Sequence, residues 1–213
     1  MVKNIRVLIA ADHAIFRAGL KHLLSQADQV AVGGEAASGN AVMQSIRADA
    51  CDVLLLDVSM PDRSGIDILK QVRKEAPSVA VLMLSLRPDD QYAIRALKAG
   101  AAGYLNRQSS PEELLAAIHQ VAAGRKYIDA ALAQELANHV SEERPQRLHE
   151  TLSDREFQTL TMIASGKAVS DIARELMLSV KTISMYRSRL LAKMNLKHNA
   201  ELTHYAIKNQ LIE

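Results

Sequence analysis

Two stretches of the sequence gather side chains that could do chemistry. The first is a set of residues at the ends of short apolar runs: Ala11-Asp12-His13 after a run from Ile5 to Ala10, Asp57 after Val53-Leu54-Leu55-Leu56, Ser85 after Val79 to Leu84, and Asn106-Arg107 after Ala102 to Leu105. If those runs are parallel strands, their carboxyl ends share one edge, where α/β sheets bind ligands. Two carboxylates, a hydroxyl and a cation would then converge. Such a set suits phosphoryl transfer: Asp57, carried by a rigid strand and followed by the loop Met60-Pro61-Asp62-Arg63-Ser64-Gly65, would attack phosphorus and form an acyl phosphate, with a divalent ion neutralising the charge. Geometry alone equally allows Asp57 to be a plain cap of the next helix.

The second stretch runs from Leu176 to Ala200. It contains no acid and carries Lys181, Arg187, Arg189, Lys193 and Lys197. The net charge of the chain is only +2, and the whole excess lies in residues 150–213, which hold 9 basic and 7 acidic side chains. A one-sign stretch in an otherwise balanced protein points to an anionic partner, although a solvated helix face would look similar.

The elements that must position these groups follow from periodicity. Apolar runs at Ile5–Ala10, Val30–Val32, Val53–Leu56, Val79–Leu84 and Ala102–Leu105 alternate with helical patterns such as Phe16, Leu20, Leu23, Leu24 and Ile66, Leu69, Val72. Ser110-Pro111-Glu112-Glu113 opens a fifth helix with an N-cap serine, a proline in the first turn and two acids. Five β-α units in strict alternation predict a doubly wound five-stranded parallel sheet over residues 1–124, α/β in class. Residues 125–149 read as a linker with a short helix over 130–140 and a polar, proline-broken run at 141–147. Residues 150–213 then read as an all-α domain of four helices: one opened by the capping box Ser153-Asp154-Arg155-Glu156 and running through Ala164, then Val169–Met177, Val180–Met194 and Ala200–Asn209.

Within the third of these, Ile183, Leu190, Leu191 and Met194 share one face at helical spacing, while Lys181, Ser184, Met185, Ser188, Arg189 and Ala192 share the other, with Lys193 at its margin. A helix buried on one side and basic, small and acid-free on the other fits the DNA major groove. Lys181, Arg189 and Lys193 would grip phosphates while Ser184, Met185 and Ser188 approach base edges.

Composition excludes several classes. At 213 residues, 48% hydrophobic and 23% charged, the chain is an ordinary globular protein of two small domains. No apolar run approaches the ~20 residues of a membrane helix, and Met1-Val2-Lys3-Asn4 leads into a strand and not a signal peptide. A cytoplasmic protein with no membrane partner is expected. The single Cys51 excludes an internal disulfide, the 7 histidines are scattered without zinc-like spacing, and the 8 methionines read as core filler.

Leu8-Ile9-Ala10-Ala11-Asp12-His13, Leu54-Leu55-Leu56-Asp57-Val58-Ser59-Met60-Pro61, Leu82-Met83-Leu84-Ser85 and Gly100-Ala101-Ala102-Gly103-Tyr104-Leu105 together resemble a response-regulator receiver domain. The resemblance implies that Asp57 accepts a phosphoryl group from a sensor histidine kinase. It also implies that Asp12, Asp57 and the backbone carbonyl of Ser59 hold Mg2+, that Ser85 hydrogen-bonds the phosphoryl group, and that Tyr104 swings inward when Ser85 moves. Residues 151–213, through Leu152-Ser153-Asp154-Arg155-Glu156, Ile163-Ala164-Ser165-Gly166-Lys167, Asp171-Ile172-Ala173, Lys181-Thr182-Ile183 and Leu190-Leu191-Ala192-Lys193-Met194, resemble a LuxR-type helix-turn-helix domain. There the third helix reads DNA, which adds Ser179 and Thr182 at its start to the DNA-facing set. The fourth helix supports dimerisation, here with Leu202, Tyr205, Ala206 and Lys208-Asn209 at its margin. The whole resembles a NarL/FixJ-type response regulator: a transcription regulator and not an enzyme, a homodimer on promoter DNA, with RNA polymerase as a further candidate partner.

Two positions depart from the receiver pattern. Ala11 stands where the family has a second acid, so one carboxylate of the Mg2+ pocket is missing. Arg107 stands where the family has lysine; its planar fork is not a neutral swap for an ammonium and can pair with Asp57 itself. A regulator that binds DNA independently of phosphorylation is therefore the alternative reading. Two enzyme readings fit less well: a phosphohydrolase would need a second acid where Ser59 stands, and a dinucleotide-binding enzyme would need a glycine-rich turn where Ala10-Ala11-Asp12-His13 stands.

Overall fold

A computed structural model describes residues 4–48, 51–85, 90–129, 132–134, 147–209 and 211–212. The chain forms two compact units, Met1–His139 and Val140–Glu213.

The first unit alternates strand and helix: β1 (Ile5–Ala10), α1 (Ala14–Ser25), β2 (Val30–Ala36), α2 (Gly39–Arg47), β3 (Val53–Asp57), α3 (Gly65–Glu75), β4 (Ala80–Ser85), α4 (Asp90–Lys98), β5 (Gly103–Asn106) and α5 (Pro111–Ala122). The sheet has the order β2-β1-β3-β4-β5 with every pair parallel. Helices cover both of its faces, which is why the strands read as unbroken apolar runs and not as alternating ones. Every residue of β3 is buried. One side of the sheet packs Val7, Ile9, Val53, Leu55, Leu82 and Leu84 against Leu20 and Leu24 of α1 and Leu114, Ile118 and Val121 of α5. The predicted strands hold, with the largest difference at β2, which extends to Ala36 through Gly33-Gly34-Glu35, residues without an apolar signal.

Local capping sets the helix starts. Ser64 Oγ accepts the Ile66 N–H at 3.3 Å, and Ser110 and Glu113 exchange the two bonds of a capping box with Pro111 in the first turn. The start of α2 is tied from outside: Asp62 accepts the N–H groups of Gly39 at 2.7 Å and Asn40 at 3.0 Å. Gly65 lets α3 begin directly beneath the end of β3. A Cβ there would lie 2.5 Å from the Asp57 carbonyl oxygen and 2.9 Å from Val58 Cα, both backbone atoms.

The second unit opens with a 3-10 turn (Leu148–Thr151), followed by α6 (Asp154–Ala164), α7 (Val169–Glu175), α8 (Val180–Met194) and α9 (Asn199–Lys208). The capping box of Ser153 and Glu156 opens α6, and Gly166, at φ +84°, turns the chain after it. Helix α7 stops at Glu175, two residues short of the expected end, because Met177 takes the left-handed region (φ 52°) and makes the turn into α8. Helix α8 runs over the predicted span. The short helix expected over 130–140 lies almost wholly outside the described residues.

Candidate functional site

The sheet order reverses between β1 and β3, because the chain leaves β1 for β2 on one side and returns to β3 on the other. The carboxyl ends there form the crevice expected of a doubly wound sheet. Ala10 pairs with Leu56, Asp57 with Leu84 and Ser85 with Asn106. This register brings Asp12, Asp57, Ser85 and Arg107 to one edge, as the run endings predicted.

Asp57 is 1% exposed. Its Oδ1 accepts the backbone N–H of Ser59 at 2.9 Å, and its Oδ2 faces Nη2 of Arg107 in an ion pair. The Arg107 side chain is only 6% exposed. Its backbone N–H donates to the Ser85 carbonyl at 2.7 Å, and its guanidinium carbon lies 4.4 Å from the centre of the Phe16 ring, over its face. Burial pulls the Arg107 guanidinium below its ordinary pKa, and the Asp12 carboxylate pushes it back up; a guanidinium so placed stays charged at neutral pH. Ser85 and Tyr104 are both buried, at 5% exposure each. Tyr104 sits on β5 paired with Met83 of β4.

Asp12 follows β1 on a loop held by Arg17, whose Nη1 donates to the carbonyls of Ala11 at 2.6 Å and Asp12 at 2.8 Å. Asp12 Oδ1 meets Nδ1 of His13. Ala11 is fully buried.

The Mg2+ expected from the resemblance does not fit the side chains as they stand. One carboxylate is absent at Ala11, Asp12 is turned to His13, and both oxygens of Asp57 are engaged, one by a buried cation. Among the described residues no group of three or more His, Cys, Asp and Glu side chains is arranged to hold a metal ion. Sequence reading missed Phe16 and Arg17. Arg17 is five residues beyond Asp12 on the first turn of α1, and that spacing is the one signal that pointed to it.

In the second unit, Ile183, Leu190, Leu191 and Met194 of α8 are buried, while Lys181, Ser184, Met185, Ser188, Arg189 and Ala192 are exposed together, as the helical period predicted. Ser179 caps the helix: its Oγ accepts the Thr182 N–H at 3.0 Å and lies 2.8 Å from Thr182 Oγ1. Ser188 Oγ is bonded to the Ser184 carbonyl at 2.9 Å. Lys193, at the margin, has its Nζ 2.6 Å from Glu156 Oε2 of α6 while its side chain stays 44% exposed. One expectation needs correction. On α9, Leu202 and Ala206 are fully buried, and the Tyr205 hydroxyl lies 2.9 Å from His149 Nδ1. The apolar periodicity of that helix serves the domain core, and its exposed side presents His204, Ile207 and Lys208.

Comparison with known proteins agrees along the whole chain. The family described as response regulator receiver domain matches residues 7–119, and that described as bacterial regulatory proteins, luxR family, matches residues 150–206. Response regulator UvrY of Escherichia coli O6:H1 is 36% identical over 208 residues, 97% of this chain and 95% of its own. Oxygen regulatory protein NreC of Staphylococcus epidermidis is 34% identical over 216 residues, 98% and 99% of the two chains. Among solved structures, RcsB of Salmonella typhimurium superposes with a TM-score of 0.70 at 26% identity over 95% of this chain and 96% of its own. RcsB bound to promoter rprA in the presence of the phosphomimetic BeF3- does so with a TM-score of 0.66 at 25% identity over 95% and 98%. With a receiver unit whose acidic edge is built at the sheet's switch point and a LuxR-family unit that exposes a basic helix, this chain belongs to the two-component response regulators of the NarL/FixJ type.

Proposed function

We propose that Asp57 accepts a phosphoryl group from a sensor histidine kinase and that this transfer controls binding of promoter DNA by a dimer through α8. The observation that supports it is the convergence of Asp12, Asp57, Ser85 and Arg107 on one sheet edge in a chain whose other unit exposes an acid-free, basic helix. An Asp57 oxygen forms a bond to phosphorus as the phosphorus–nitrogen bond of the donor phosphohistidine breaks. The imidazole leaves with the electron pair. The product adds roughly −1.5 to −2 of charge beside Ser85 and Arg107. Ser85 hydrogen-bonds the phosphoryl oxygens, and Tyr104, on the neighbouring strand, follows the rearrangement.

On the DNA, Lys181 and Arg189 hold phosphates, Ser184, Met185 and Ser188 face base edges, and Ser179 and Thr182 set the helix N-terminus against the backbone. Two copies are needed because a single small module binds weakly, and paired half-sites then lie about one helical turn apart. RNA polymerase is the partner that a promoter-bound regulator acts on, and the cytoplasm is the compartment in which kinase, DNA and a free Cys51 thiol coexist. Receiver domains generally bind Mg2+ in this pocket; here Ala11 in place of an acid removes one of the carboxylates that would attract the ion.

The burial of Asp57 under Arg107 favours a second reading, DNA binding independent of phosphorylation. Incubation with acetyl phosphate, followed by intact mass and by DNA binding of wild type and Asp57→Ala, separates the two. The phosphorylation reading expects one phosphoryl group on wild type, none on Asp57→Ala, and tighter DNA binding only by the former. No added mass together with unchanged DNA binding by Asp57→Ala overturns it.

A further inference from the structure

We propose that Arg107 is the resident counter-ion of Asp57 and stands where a divalent cation would, so that this receiver keeps its acidic edge without Mg2+. The proposal rests on reading Asp57 as the acceptor and states how that site is charged.

Each carboxylate oxygen of Asp57 already faces a donor group. Oδ1 takes the Ser59 N–H at 2.9 Å, and Oδ2 faces the Arg107 guanidinium. The arginine is itself fixed and buried: its backbone N–H donates to the Ser85 carbonyl, its guanidinium carbon lies 4.4 Å over the Phe16 ring, and its side chain is 6% exposed. A lysine at this position would bring a compact ammonium on a flexible stem to one oxygen. Arginine brings a rigid planar group that sets Nη2 against Oδ2 and stacks on a ring.

Charge points the same way. With Ala11 buried where a carboxylate would stand, Asp12 and Asp57 supply two negative charges against one positive from Arg107. A hard divalent ion that takes oxygen ligands is drawn by a net charge of about −1 and must first displace a buried cation. Asp12 leaves it Oδ2, since Oδ1 is turned to His13. Arg107 therefore does the neutralising, and Phe16 keeps it in place. Phosphorus reaches Asp57 only when Arg107 turns aside.

The test is calorimetric titration of the full-length chain with MgCl2. Wild type is expected to bind Mg2+ at least about tenfold more weakly than the double variant Ala11→Asp, Arg107→Lys, which gains saturable binding at millimolar Mg2+. Phe16→Leu, which touches neither carboxylate, loosens the guanidinium and gives a smaller gain in the same direction. If the double variant does not fold by circular dichroism, Phe16→Leu and Ala11→Asp alone carry the comparison. Wild-type binding as tight as that of the folded variants overturns the proposal, as does a folded set of variants with no gain. Labelling by acetyl phosphate with and without a chelator gives the second readout: labelling of wild type should be insensitive to the chelator, and dependence on Mg2+ counts against the proposal. If Asp57 takes no phosphoryl group under any condition the acceptor reading fails, while the Mg2+ titration still decides the role of Arg107.

Discussion

Replacing Arg107 with Ala leaves the Asp57 carboxylate 1% exposed without its counter-ion. Removing one partner of a buried pair typically costs about 3–5 kcal/mol, more than the pair itself contributes. Chemical denaturation of Arg107→Ala should show a loss in this range, and Arg107→Lys a smaller one because the charge remains. Glu156 makes a second, pH-dependent case. Burial alone would raise its pKa, but bonds from Lys193 Nζ and from the Ser153 N–H outweigh it and hold the carboxyl below the ordinary range. A depressed carboxylate contributes stability that is present above the unfolded value near 4.3 and is lost as pH falls through the folded value. Glu156→Gln is therefore expected to lose about 1–2 kcal/mol at neutral pH, and its difference from wild type should shrink below about pH 4 in acid titrations of stability. The identity of both residues was visible in the sequence. That Arg107 meets Asp57 was foreseen as one option, because both stand at strand ends. That Phe16 holds it was not, since nothing in the spacing links a residue of α1 to one after β5.

At the scale of elements, the period of α8 was enough to sort its two faces, because an apolar stripe every three or four residues leaves no choice about which side is buried. Marginal positions escape that rule. Lys193 lies between the faces, and the nearby Glu156 decided its direction. Lys181→Ala and Arg189→Ala are each expected to weaken promoter binding roughly uniformly across sequences and to reduce the slope of log K against log salt by about one. Lys193→Ala should leave that slope nearly unchanged and instead lower the melting temperature of its unit. Electrophoretic or anisotropy titrations at several salt concentrations, with thermal melts alongside, separate the two behaviours. Helix α9 shows the opposite error: Leu202 and Ala206 are fully buried within their own domain, and an apolar residue at helical spacing signals burial without saying against what.

For the whole molecule, the two compact units each carry their own core, which predicts that stability changes stay local. Scanning calorimetry of Arg107→Ala should lower the transition of the receiver unit and leave the other in place, while Glu156→Gln does the reverse; a single transition moved equally by both would contradict this. What the sequence determined alone was the class of each unit, the placing of chemistry at the strand ends and the faces of α8. Each of these follows from periodicity within one element or from strict alternation between elements. What only the tertiary structure decided was which charges meet: Arg107 with Asp57 over Phe16, and Lys193 with Glu156. Charge pairing depends on distance between elements far apart in the chain, and a few ångströms of placement decide whether a cation faces DNA, a metal's ligand or its own core.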